Sequence, residues 1–300
     1  MLHMTNTKKI SEMKGFWEGK KFWPACDYPD TKKRYVKAGE IKFWVETEGK
    51  GKPLILIHGG PGGNHCYFHP NLSKLAKRHR LIYYDLRGHY MSTEPKKPDE
   101  YGVLYDAKDL EALRKALKLD KIDILGHSYG GVVAFMYGLL YPENIGHIIF
   151  CSTPVDISDE EGDRLMDAHP ISKEMEKAKS EEEEVELYYK LYFHKPLDKE
   201  SRYYQEFTRK SYETEKSKRI LCAYDRDKTE PNWKAGIPSI KKPMLFIVGK
   251  YDPLAVPQKI ENIISDLPNA KLIIFEQSGH DPFVDEPDKF ALIVDKFLSS

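Results

Sequence analysis

The chain has 300 residues, with 47 basic and 47 acidic side chains and therefore no formal net charge, which excludes a protein that finds nucleic acid through a global basic field. Its 40 % apolar content is enough for a large core in a chain of this length, and no apolar run approaches the roughly 18–20 residues of a membrane span. The N-terminus lacks the apolar core of a signal peptide, so the expectation is a soluble, cytoplasmic chain with neither a nucleic-acid nor a membrane partner.

Residues 1–33 are polar and irregular, with aromatic anchors at Phe16, Trp17, Phe22 and Trp23, and read as an N-terminal extension packed on the body. Arg34–Gly39 and Ile41–Glu48 alternate as antiparallel edge strands do. Leu54–Ile57, Leu81–Tyr84, Ile122–Leu125 and Ile145–Cys151 are short apolar runs of the kind that form buried parallel strands, and Met244–Val248 and Leu272–Phe275 continue the series. Helical spacing marks Ala107–Leu119, Gly131–Tyr141, Gln258–Leu267 and Pro287–Leu298. Strands alternating with helices predict an α/β fold, a mostly parallel sheet covered on both faces. The rhythm breaks over 155–237, where charge and tyrosine dominate. Val185, Tyr188, Tyr189, Tyr192 and Phe193 fall on one helical face, and Tyr203, Tyr204, Phe207 and Tyr212 mark another. This segment reads as a helical cap inserted between two halves of a core, 34–154 and 238–300.

Gly126-His127-Ser128-Tyr129-Gly130 follows one strand and opens a helix. In that context G-x-S-x-G is a nucleophile elbow: the turn is so tight that its flanking positions must be small, and the serine is held exposed at strained backbone angles. Chain order then calls for an acid and a histidine at the ends of later strands. Asp252, in Gly249-Lys250-Tyr251-Asp252-Pro253, and His280, in Ser278-Gly279-His280-Asp281, supply them. Asp281 adjoins His280 too closely to reach its Nδ1 easily. His58-Gly59-Gly60-Pro61-Gly62-Gly63 follows the first parallel strand and sits where a second oxyanion donor is needed. The Gly60 and Tyr129 amides are the expected donors, and His58 reads as an orienting loop residue. Cys26, Cys66, Cys151 and Cys222 are scattered without a C-x-x-C pair, which excludes a zinc ribbon and speaks against a disulfide framework. Cys66 and Cys151 read as buried thiols. No H-E-x-x-H spacing occurs, so neither metal nor cofactor is expected.

HGGPG, GHSYGG, KYDP and SGHD together resemble the α/β-hydrolase superfamily over about residues 34–300, and HGGPG resembles the proline iminopeptidase branch. That resemblance implies a helical cap whose acidic residues hold a substrate's free α-amino group. Glu230, Asp227 and Asp225, at the end of the cap, are the matching acids here. One segment departs from the branch: Asp85-Leu86-Arg87-Gly88-His89-Tyr90-Met91-Ser92 resembles the D-x-R-G-H of esterases. The expectation is a serine hydrolase acting on a small molecule or short peptide, best an aminopeptidase, with a carboxylesterase or lactonase as the alternative. Epoxide hydrolases and haloalkane dehalogenases of similar build use aspartate at the elbow, where Ser128 stands. A non-catalytic ligand receptor on the same scaffold is the alternative of another class. The sequence does not fix the oligomeric state.

Overall fold

The computed structural model describes residues 26–97, 99–225 and 231–300. Phe16, Trp17, Phe22 and Trp23 lie outside the described residues, as do Asp227 and Glu230. Eight strands form one sheet: β1 (Lys32–Ala38), β2 (Ile41–Glu48), β3 (Lys52–Ile57), β4 (His79–Tyr84), β5 (Ile122–His127), β6 (Ile145–Cys151), β7 (Met244–Gly249) and β8 (Ala270–Phe275). They lie in the order β1-β2-β4-β3-β5-β6-β7-β8. β1–β2 and β2–β4 are antiparallel, and every other neighbouring pair is parallel.

Side chains of the central strands alternate between two cores because successive residues of a strand face opposite sides. Ile55 and Ile57 join Ile82, Tyr84, Ile124 and Phe246 on one face, while Leu54 and Leu56 join Leu81, Tyr83, Leu125 and Ile247 on the other. The first face is covered by α1 (Val103–Ala116) and α2 (Tyr129–Leu140). Between β6 and β7 run α3 (Asp159–Ala168), α4 (Pro170–Met175), α5 (Glu181–Tyr192), α6 (Lys199–Ser211), α7 (Glu215–Tyr224) and the short α8 (Trp233–Gly236). α9 (Pro257–Ile264) returns to the first face, the turn α10 (Pro282–Asp285) follows β8, and α11 (Pro287–Leu298) closes the second face with Phe290, Val294 and Leu298.

Two sequence expectations are corrected here. β2 is not an edge strand: it pairs with β1 on one side and β4 on the other. Its sequence alternation does not persist as alternating exposure: Lys42 is exposed, but Phe43, Trp44, Val45 and Glu46 are all buried. β1 begins at Lys32, two residues before the alternation starts, because its register with β2 continues to Lys32 opposite Thr47. Helix ends also differ by a few residues, α1 starting at Val103 directly after Gly102, whose φ is +123°.

Candidate active site

The carboxyl ends of β3, β5, β7 and β8 bring the sequence-predicted residues to one end of the sheet. Ser128 is the N-cap of α2, at φ +52° and ψ −122°. Such a backbone is costly for a side-chain-bearing residue, and here it is fixed on both sides: Ser128 N donates to Cys151 O at 2.8 Å, and Gly131 N donates to Ser128 O at 2.9 Å. The flanking glycines are forced by close approach. A Cβ at Gly126 would stand 2.2 Å from Gly130 O, and one at Gly130 would stand 2.1 Å from Ile57 O. Ser128 and Tyr129 stay partly exposed between buried His127 and Gly130.

Asp252 and His280 meet as a pair. The His280 Nδ1 lies 2.9 Å and 3.0 Å from the two Asp252 oxygens. A carboxylate only accepts, so Nδ1 carries the proton and Nε2 is left as the basic nitrogen. Asp252 is aimed by two further donors, Leu254 N and Ala255 N, each at 2.9 Å. Burial alone would hold the His280 pKa down, but the adjoining Asp252 carboxylate outweighs it and the net direction is upward. For Asp252, burial opposes ionisation, and the histidine with its hydrogen bonds brings the net direction down. Asp281, the competing acid, makes no hydrogen bond to the His280 ring; burial pushes its carboxyl up to about 7.

Tyr67, which sequence reasoning missed, links three of these loops. Gly59 N donates to Tyr67 Oη at 2.6 Å, and Tyr67 Oη lies 2.8 Å from His127 Nδ1. His127 Nε2 in turn lies 3.0 Å from His280 O. The carbonyl can only accept, so His127 carries its proton on Nε2 and accepts from the tyrosine on Nδ1. Burial, with His280 beside it, lowers the His127 pKa to about 3. The 3.6 Å approach of Asp281 to His127 is therefore not an ion pair near neutral pH. Because the Gly59 amide is already committed, Gly60 is the next amide of that loop able to face a substrate. It turns at φ +109°, a conformation glycine adopts freely.

The helices between β6 and β7 lie over this end of the sheet. Tyr192 O accepts from His280 N at 2.7 Å, and the Tyr192 ring is 5.6 Å from the His280 ring. The Tyr212 hydroxyl lies against Gly60 and Gly63, and Ser217 Oγ donates to Gly62 O at 2.8 Å. Asp285 accepts from Gly279 N and from the His194 and Lys195 amides, tying the chain after α5 to the His280 loop. Tyr129 Oη donates to buried Asp106 at 2.7 Å. Asp225 is exposed at the end of α7. Among the described residues no helix is long and apolar enough to cross a membrane.

A strained serine at a strand-to-helix turn, an Asp–His pair at later strand ends and a glycine loop lie together at one end of an open α/β sheet. The α/β-hydrolase fold family model matches residues 52–287, and the chain belongs to that family of enzymes. Among curated relatives, the proline iminopeptidase of Clostridium botulinum is 30 % identical over 282 residues, covering 85 % of this chain and 92 % of its own. A proline iminopeptidase structure from Mycobacterium smegmatis superposes with a TM-score of 0.73 at 20 % identity, covering 89 % of this chain and 98 % of its own. An esterase from Exiguobacterium antarcticum gives 0.71 at 24 % identity, covering 90 % and 100 %. At those identities the two structures speak for the fold alone. The chain is a proline iminopeptidase-like α/β hydrolase.

Proposed function

We propose that the chain is a serine hydrolase that removes the N-terminal residue of small peptides through an acyl-enzyme. Ser128 Oγ attacks the scissile carbonyl while His280 Nε2 takes its proton, and Asp252 holds the Nδ1–H tautomer and offsets the imidazolium charge. The Gly60 and Tyr129 amides stabilise the oxyanion. Collapse of the tetrahedral adduct breaks the C–N bond, and His280 returns the proton to the leaving amine. Water, deprotonated by the same histidine, then frees the acid from Ser128. The observation that carries the mechanism is the Asp252–His280 pair at the ends of successive strands. The aminopeptidase reading rests on the similarity to proline iminopeptidases across 85 % of the chain, and it needs a carboxylate for the substrate's ammonium, since a buried cation without a partner is costly. Glu230 is the first choice, with Asp227 and Asp225 beside it. The helices of 155–237 act in this reading as a cap over the core formed by 34–154 and 238–300.

A second reading, an esterase, is favoured by the aromatic cover: Tyr192 beside His280 and Tyr212 over the glycine loop make a wall suited to an uncharged acyl group. A panel of proline and other amino-acid arylamides beside short and medium p-nitrophenyl esters separates the two. The aminopeptidase reading expects turnover of the free-amine amides and loss of it when the amine is acylated. Ester turnover without amidase activity reverses the order of the readings.

A further inference from the structure

Away from Ser128, four metal-ligating side chains converge beneath α6. Cys26 comes from the segment before β1, Glu46 from β2, His65 from the start of a 3-10 turn after the glycine loop, and His69 from the residue that caps that turn. One ligand atom from each lies within 4.8 Å of the other three, and all four side chains are buried. The inward nitrogens, His65 Nε2 and His69 Nε2, make no hydrogen bond. His65 Nε2 stands 3.1 Å from Glu46 Oε1, and His69 Nε2 is 4.0 Å from Glu46 Oε2.

The outer partners show why those nitrogens are bare. His65 Nδ1 lies 2.8 Å from Asp85 Oδ1, which can only accept, so a proton sits on Nδ1 in either charge state, and loss of the second proton to an incoming metal leaves the Nε2 lone pair facing the cluster. Ser73 Oγ gives its proton to Glu48 at 2.8 Å and so accepts from His69 Nδ1 at 3.4 Å, leaving His69 in the same tautomer. Glu46 is held by Trp44 Nε1 at 3.0 Å and Thr31 Oγ1 at 2.7 Å. A histidine whose outer nitrogen donates to a carboxylate is the usual arrangement behind a metal ligand.

We infer that Cys26, Glu46, His65 and His69 bind a divalent transition-metal ion of the zinc class. One sulfur, one carboxylate and two imidazoles suit tetrahedral Zn2+. Atoms about 2.0–2.3 Å from one ion stand roughly 3.3–3.6 Å apart, so binding draws the widest pair together by roughly 1 Å. Thiolate, carboxylate and ion sum to zero charge in a region closed to water. Four protein ligands leave no open position, so the ion's part is structural. It staples the segment at Cys26 to the turn that continues the glycine loop. That turn also docks α6, through Asn64 Nδ2 to Ser211 Oγ at 3.0 Å and Thr208 Oγ1 to Asn64 Oδ1 at 2.8 Å. The competing arrangement is a metal-free ionic cluster, with His65 charged between Glu46 and Asp85. It gives the Cys26 thiol hydrogen bonds to His65 and Cys66 but leaves His69 Nε2 without a partner.

The test uses the full chain, stripped with a chelator and kept reduced with a phosphine. Titration with Co2+ should produce the visible bands of a tetrahedral ion and a near-ultraviolet thiolate-to-metal charge-transfer band, saturating at about one equivalent per chain. Zn2+ should displace the Co2+ and raise Tm. Cys26→Ser should remove the charge-transfer band, and His69→Gln should weaken binding on the order of 100-fold, whereas Cys222→Ser, at an exposed thiol, should change nothing. If the wild-type chain gives no tetrahedral Co2+ spectrum and no Zn2+-dependent rise in Tm, the ionic cluster is correct. A charge-transfer band that persists in Cys26→Ser also overturns the assignment. Neither readout depends on Ser128, so failure here is distinct from failure of the hydrolase reading.

Discussion

Ser128 and Asp252 are fixed by backbone amides and carbonyls of the sheet ends, whereas Tyr192 and Tyr212 reach the same place from helices inserted between β6 and β7. The first group depends on strand register and glycine contacts that admit almost no substitution. The second depends on which face an amphipathic helix turns inward, and many side chains satisfy that. In the proposed mechanism the bond-making groups sit on the rigid half, and selection of the acyl group and the amine falls to the adaptable half. Changes on the sheet side should therefore lower kcat for every substrate, and changes on the helical side should separate one substrate from another.

The largest effect is expected at the nucleophile. Ser128→Ala should lower kcat on the order of 10⁴–10⁶-fold for amides and esters alike. A loss confined to one class in steady-state assays would break the division between the two halves.

Asp252→Asn comes next, at about 10⁴-fold in kcat, because the amide can hold His280 in the wrong tautomer. This variant also carries the pH test. His280 must be neutral to accept a proton, so kcat/KM falls as pH drops through its pKa. Since Asp252 raises that pKa, the wild-type acid limb should lie above the midpoint of an ordinary imidazole, and residual activity of Asp252→Asn should have its limb at lower pH. Limbs at the same pH in both proteins would deny Asp252 this role.

For amine recognition, Glu230→Gln should raise KM for free-amine substrates about 10–100-fold, the worth of one hydrogen bond to a charged group, and leave simple esters nearly unchanged. Parallel shifts in both classes would place Glu230 outside amine recognition.

The smallest effect tests the link between loops. Tyr67→Phe leaves the Gly59 amide and His127 Nδ1 without partners, at a cost of about 1–3 kcal/mol in stability. A lower Tm with a modest fall in kcat is the expected outcome. An unchanged Tm would show that Gly59 and His127 do not depend on this hydroxyl.

The rigid half was largely legible in the sequence because its constraints are local. A turn that brings Gly126 within reach of Gly130 O writes glycine into the chain, and short apolar strands announce where Asp252 and His280 must follow. β2 misled because Lys42, Glu46 and Glu48 look solvent-facing in the sequence, whereas in the fold only Lys42 is exposed and Glu46 is fully buried. The helical half was legible only as helices. Val185, Tyr188 and Tyr192 predict an amphipathic α5, but that Tyr192 meets His280 depends on tertiary packing. Tyr67–His127 joins residues 60 positions apart, and Cys26, Glu46, His65 and His69 share no motif, the two histidines alone being four apart. Only the folded sheet brings those groups together.

The central claim is that Ser128 is the nucleophile activated by His280. The most direct measurement treats the folded chain with a fluorophosphonate and locates the adduct by peptide mass spectrometry. The account predicts a single adduct on Ser128, its formation suppressed in His280→Ala and slowed below the pKa of His280. An adduct on another residue, or labelling of Ser128 at the same rate without His280, would contradict it.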